Sequence, residues 1–168
     1  ADLTELSESN GQLAILHEMG HVLGLGTFWK NQCGQSCTRQ NNFYTCNKAN
    51  EEYERLRLGA ALRLENDGDE GTFCTHWDEQ SFESQFSSEL MTGFFEQGKI
   101  QSLSRVTLAA LEDLGGYEVN YDAADAFPIF PSAKLGNEGQ MQKTSGAGLL
   151  SATETFDLEK MTQEFGIN

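Results

Sequence analysis

The chain has 168 residues, 38% apolar and 22% charged, a composition that fits one globular domain with a real core and excludes wholesale disorder. Eleven Lys+Arg against 26 Asp+Glu leave a formal charge of −15, which excludes nucleic acid and anionic membrane surfaces as partners, since both are gripped through basic patches. No apolar run approaches the roughly 20 residues of a transmembrane segment, and a start at Ala1 without a leader reads as a mature or excised piece.

Residues 1–12 are polar, with Ser9 or Asn10 as a candidate helix N-cap. From Leu13 the apolar residues fall at helical spacing. Leu13, Leu16 and Leu23 form one row, and Ile15, Met19 and Val22 another. The helix should stop near Gly24, a glycine suited to the left-handed cap, and Gly26 eases a sharp redirection. Within this stretch, "LAILHEMGHVLGLGTFW" (13–29), lie His17, Glu18 and His21. Positions i and i+4 share a helix face, so both imidazoles can reach one metal ion. Zinc takes neutral histidine nitrogen, and a catalytic site uses three protein ligands plus water. Glu18, about 100° around the helix, is placed as general base toward that water.

Residues 30–50 lack a period and read as a cystine-tied loop holding Cys33, Cys37 and Cys46; the fourth cysteine is Cys74. An even count in a polar stretch suggests two disulfides and an extracytoplasmic setting: secreted, cell-surface or an oxidising lumen. The pairing stays open among three connectivities. A second, all-cysteine zinc site would need paired C-x2-C knuckles, which are missing.

A helix is predicted over 50–64, with Glu51 and Glu52 in its first turn. The acidic "ENDGDEG" (65–71) reads as a solvated turn; calcium there lacks the ligand spacing of a known calcium loop. In the segment "TFCTHWDE" that follows, His76 is the one histidine left as a third metal ligand. The rivals are carboxylates of the predicted helix: Glu51, Glu52 and Glu54. A disulfide through Cys74, two residues before His76, would fix the ligand segment and favours the histidine. Residues 104–114 form another helix, with Ser104 as cap, Val106, Leu108, Leu111 and Leu114 inward, and a stop at Gly115-Gly116. Beyond "PIFP" (128–131), residues 132–168 read as a polar linker or arm. A short C-terminal helix there would use Phe156, Leu158, Met161 and Phe165.

Taken in order, "HEMGHVLGLGTFW", "GTFCTHWDE", "SSELMTGFF" and "LSRVTLAALEDLGGYEVNYDAADAF" resemble the leishmanolysin (gp63-type) metallopeptidases, a metzincin branch whose third histidine is displaced by a long insertion. The resemblance covers roughly residues 11–127. It implies His17, His21 and His76 as ligands of one zinc ion per chain, Glu18 as general base and Gly24 as the turn glycine. It also implies Met91 as the Met-turn methionine. Peptide-bond hydrolysis by metal-activated water, on a peptide or protein substrate, follows from it. Where some metzincins place a tyrosine after the Met-turn, this chain has Phe94-Phe95, so no oxyanion stabiliser besides zinc is assigned.

The expected fold is α+β, mainly α, with little sheet. Residues 1–131 would be a metzincin-like catalytic portion with its zinc helix, cystine-tied insertion and Met-turn. Only 16 residues precede His17, too few for the N-terminal sheet subdomain whose edge receives a peptide in such enzymes. The expectations are therefore a zinc endopeptidase, either as a processed or trimmed portion of a longer protease or paired with a second chain supplying that sheet, or a non-catalytic zinc-containing interaction or structural subunit of a larger assembly derived from one. A calcium-dependent adhesion module rests on acidity alone.

Overall fold

A computed structural model of the chain describes residues 8–56, 58, 61–82, 87–95 and 99–125. The first element is the helix α1 (Glu8–Val22). It begins before Ser9 and Asn10, which therefore lie in its first turn and are not its caps. Leu13, Leu16, Met19 and Leu23 pack against the core. Ile15 and Val22 do not: they are 47% and 73% exposed. Both lie roughly 150° around the helix from His17, so the second predicted row contributes only Met19 to packing. After Val22 the chain turns at Gly24 (φ +110°) and Gly26 (φ +72°). A Cβ on Gly26 would stand 2.0 Å from the Thr75 carbonyl oxygen. The glycine thus lets the turn after α1 touch the backbone that leads into His76.

A four-residue helix, α2 (Trp29–Gln32), opens the segment expected as loop. The disulfides Cys33–Cys46 and Cys37–Cys74 then tie it down, using all four cysteines. No thiolate zinc site is left to form. The predicted 50–64 helix is instead α3 (Asn47–Arg55), earlier and shorter. Its first turn holds no acid, and its N-cap residue, Cys46, is committed to a disulfide. The Asp113 carboxylate replaces the cap from a distance, accepting from the N–H of Lys48 (2.9 Å) and Ala49 (3.0 Å). Leu62 and Leu64, counted as helical in the sequence, are buried in extended chain. There Leu64 bridges Trp77 and Phe43 bridges Arg63.

That extended chain positions the 72–78 segment. Glu65 N–H donates to the His76 carbonyl and Asp78 N–H to that of Arg63, while on the other side Trp77 N–H donates to Met91 O. Short strands β1 (Ser87–Glu89) and β2 (Ile100–Ser102) form a two-stranded parallel sheet, with Ser88 paired to Gln101. The helix α4 (Arg105–Asp113) runs as expected: the Ser104 hydroxyl accepts from Thr107 N–H, and Val106, Leu108 and Leu111 are fully buried. The core between α3, α4 and the bridges centres on Trp29 stacked on Trp77 (4.4 Å), with Tyr44 edge-on to both. Among the described residues the architecture is mostly helical with a small sheet and two disulfides. The linker, arm and C-terminal helix expected over 132–168 lie outside the described residues.

Replacing Gly26 by alanine should cost more than about 3 kcal/mol, because backbone strain of about 1–2 kcal/mol adds to a clash with backbone that has no slack. Gly34→Ala, also at positive φ (+61°) but with nothing near the added Cβ, should cost only about 1–2 kcal/mol. Urea unfolding of the two variants measures the difference, and equal losses would remove the close approach as its cause.

Candidate metal centre

His17 and His21 project from one face of α1, and His76 comes from the bridged segment opposite. Their Nε2 atoms lie 3.0 Å (His17 to His76), 3.1 Å (His17 to His21) and 3.0 Å (His21 to His76) apart. Each ring's other nitrogen faces a backbone carbonyl. His17 Nδ1–H donates to Leu90 O at 2.7 Å and His21 Nδ1–H to Leu25 O at 3.0 Å. His76 Nδ1–H is shared between Thr72 O at 3.1 Å and the Thr75 hydroxyl at 2.9 Å. A carbonyl only accepts, so it assigns the proton to Nδ1 and leaves Nε2 of each neutral ring as a bare lone pair. Three lone pairs therefore converge with no hydrogen between them.

That arrangement fits a cation. Nitrogens about 2.0–2.1 Å from a common tetrahedral ion stand roughly 3.3 Å apart, close to the spacing here. The carbonyl partners are the outer contacts that fix tautomer and ring orientation at metal-binding histidines. Burial holds the His17 imidazole below its ordinary range. Burial, helped by the neighbouring His21 and His17, pushes His76 down to about 4. Both shifts favour the neutral, ligating form. Among the described residues, this trio is the one group of histidine, cysteine or acidic side chains gathered closely enough to hold a metal ion.

The sequence rivals are placed elsewhere. Glu52 is engaged by Arg55 (2.7 Å) and Arg105 (2.9 Å), and Glu51 and Glu54 are exposed outside the trio. In the acidic turn, Glu65 Oε1 accepts from the N–H groups of Asn66 and Asp67, and among the described residues no group of three or more acids gathers there to hold calcium. Met91 is fully buried, and a Cβ on Gly20 would come within 2.7 Å of its sulfur. A glycine between the two histidines of α1 thus lets the helix settle directly on that methionine. Glu18 is exposed and lines, with His17, a cleft of about 310 Å³ walled by Leu13, Leu90, Phe94 and Phe95.

A buried carboxyl that the sequence did not single out braces this site. Glu89 Oε1 accepts from Ser104 N–H, the Ser104 hydroxyl and the Thr107 hydroxyl, and Oε2 accepts from Met91 N–H. The Thr107 hydroxyl in turn accepts from Trp77 Nε1–H at 2.8 Å. One wholly buried side chain therefore joins β1, the turn at Met91, the first turn of α4 and the residue after His76. Cys74, two residues before His76, has an uncommon backbone: its φ is +64°, held by the disulfide to Cys37 and by N–H donation to Glu65 O.

The leishmanolysin family model matches residues 8–134. A leishmanolysin-like peptidase of Caenorhabditis elegans is 47% identical over 165 residues, covering 72% of this chain and 24% of the relative. A leishmanolysin-like peptidase of Drosophila pseudoobscura pseudoobscura is 32% identical, over 57% of this chain and 15% of its own. The human ciliated left-right organizer metallopeptidase is 29% identical, over 71% and 17%. No solved structure matches. The chain belongs to the leishmanolysin family of peptidases. It spans about a quarter of the length of the first relatives it matches.

Burial pushes the Glu89 carboxyl up to about 7, against the four donors that favour its charge. From its ordinary 4.5 to about 7, the folded chain holds a proton that the unfolded chain has released, so this group's contribution to stability falls as pH rises. Glu89→Gln removes that slope. The stability difference between the two proteins should change by up to about 1.4 kcal/mol per pH unit across the window. A difference flat with pH in denaturant titrations would mean a carboxylate charged throughout.

Proposed function

We propose that this chain is a zinc-dependent endopeptidase with His17, His21 and His76 as ligands of one metal ion and Glu18 as general base. Met91 is the apolar floor of the site, in the manner of a metzincin Met-turn, and Gly24 is its turn glycine. The observation that carries the reading is the convergence of three proton-free Nε2 atoms beside a cleft that also holds the Glu18 carboxylate.

When bound, zinc supplies Lewis acidity toward a scissile carbonyl and makes water acidic near neutral pH. The residues of the chain do the rest. Leu90, Leu25 and Thr72 carbonyls keep the imidazole protons on Nδ1, so each Nε2 stays a donor of electrons to the metal. Glu18, free at the cleft wall, takes the proton of the attacking water on a carboxylate oxygen and passes it to the leaving amine nitrogen. Leu13, Phe94 and Phe95 offer apolar surface for a substrate side chain and exclude water from it.

The catalytic portion in this reading is residues 1–131, with 132–168 as an arm. Two disulfides support an extracytoplasmic site of action. Its substrates are peptides or proteins, and a second chain or further polypeptide completes the far side of the cleft.

The test is hydrolysis of a quenched-peptide library by the 168-residue chain with one equivalent of zinc. Glu18→Gln should bind zinc equally and cleave about 10²–10⁴-fold more slowly, while His76→Asn should bind zinc more weakly. Full zinc binding without cleavage by the parent chain would overturn a self-sufficient enzyme and leave either one completed by a second chain or the non-catalytic interaction subunit.

A further inference from the structure

One buried polar group beside His17 has no role in that chemistry. Gln101, on β2, is only 6% exposed, and its amide nitrogen is buried with no hydrogen-bond partner within the protein. The residue lines the same cleft as His17 and Glu18, among Leu13, Leu90 and Phe95. An unpaired amide in apolar surroundings costs about 1–3 kcal/mol, and an apolar residue at this position of the sheet would avoid it. Of the other buried groups, Glu89 meets four donors and Trp77 Nε1–H reaches Thr107, while Trp29 Nε1 and Glu65 Oε2 also lack partners but their residues do not line the cleft. Gln101 is the unpaired group at the wall of the cleft.

We infer that Gln101 is a specificity-determining residue, and that the cleft selects an uncharged substrate side chain with an apolar stem and a carboxamide tip, glutamine or asparagine. This rests on the reading of the site as a peptidase centre. A carboxamide offers both a donor and an acceptor, and the Gln101 amide answers either after a half-turn of its end group. An ammonium tip has no acceptor for the unpartnered N–H. A carboxylate tip meets Glu18 in the same cleft and a chain of net charge −15. At about 310 Å³ the cleft is at the lower limit of ligand sites (roughly 300–1,000 Å³), a size for one side chain. A site built to hydrogen-bond a group rejects the analogue lacking it far better than an apolar pocket separates two hydrocarbons.

The experiment compares peptides that differ only by Gln or Met, near-isosteres, at each position in turn. Binding is measured by calorimetry to zinc-loaded Glu18→Gln, in which the peptide stays intact, and to the same protein carrying Gln101→Met. One register should show at least about tenfold tighter binding of the Gln peptide, falling below about twofold in Gln101→Met. The Gln101 side-chain amide pair, assigned by through-bond NMR and so independent of any substitution there, should shift with the Gln peptide and not with the Met peptide. Equal binding of the two peptides, no binding of either, a preference that survives Gln101→Met, or an unmoved amide pair would each overturn the inference. Selective binding without cleavage by the parent chain would instead overturn only its reading as a self-sufficient peptidase, and cleavage without selectivity would overturn only the role of Gln101.

Discussion

Three lone pairs held about 3 Å apart repel one another, and the fold is organised so that they have nowhere else to go. Each imidazole is pinned from behind by a carbonyl, and the three carbonyls belong to three separate stretches: the turn after α1, the turn before the His76 segment, and the residue after β1. A ring could escape only if its backbone moved. The scaffold blocks that movement at each place. Gly26 lies against Thr75, Cys37–Cys74 anchors the chain two residues from His76, and Glu89 clamps the turn at Met91 to α4. Such preorganisation is the usual condition for a metal site that does chemistry, because the ligands need not be gathered afresh when the ion arrives.

The same constraint explains how so little regular structure holds a long insertion. Some fifty residues separate the end of α1 from His76, and the described sheet is only two short strands. The insertion is secured by covalent ties at both ends and by aromatic stacking of Trp29, Tyr44 and Trp77 between them. Trp77 is the hinge of this arrangement. Its backbone joins Leu64 on one side and Met91 on the other, its ring fills the core, and its indole N–H reaches the Glu89 network. It is also the residue next to His76, so packing of the core and orientation of the third imidazole are one event.

What the sequence made legible was whatever depends on neighbours in the chain. The i, i+4 spacing put His17 and His21 on one face, the glycines marked the end of α1, and Ser104 marked the start of α4. What it hid depends on distant partners. The start of α3 was misplaced because its cap is Asp113, 66 residues after Asn47, and its end because Leu62 and Leu64, two apart as on one face of a strand, pack as extended chain. The rows of α1 looked equally apolar, yet only contact with the core separates Leu16 from Ile15. Carbonyl partners carry no side-chain signal at all. Glu89 and Gln101 were passed over because a single Glu or Gln between turns reads as surface, and only burial tells otherwise.

Charge completes the account of the site. Among the described residues the cleft beside the trio is lined by no lysine or arginine, and its one full charge is the carboxylate of Glu18. A chain of net charge −15 around such a cleft favours the approach of a divalent cation and disfavours acidic ligands. Burial keeps the rings of His17 and His76 neutral, so they add no positive charge to oppose that cation. The Glu18 carboxylate thus stands exposed at an otherwise uncharged wall beside the trio. An added lysine on the wall would pair with Glu18 and oppose a cation at the trio. The absence of one from the described lining is thus a property of the site as much as the three histidines are.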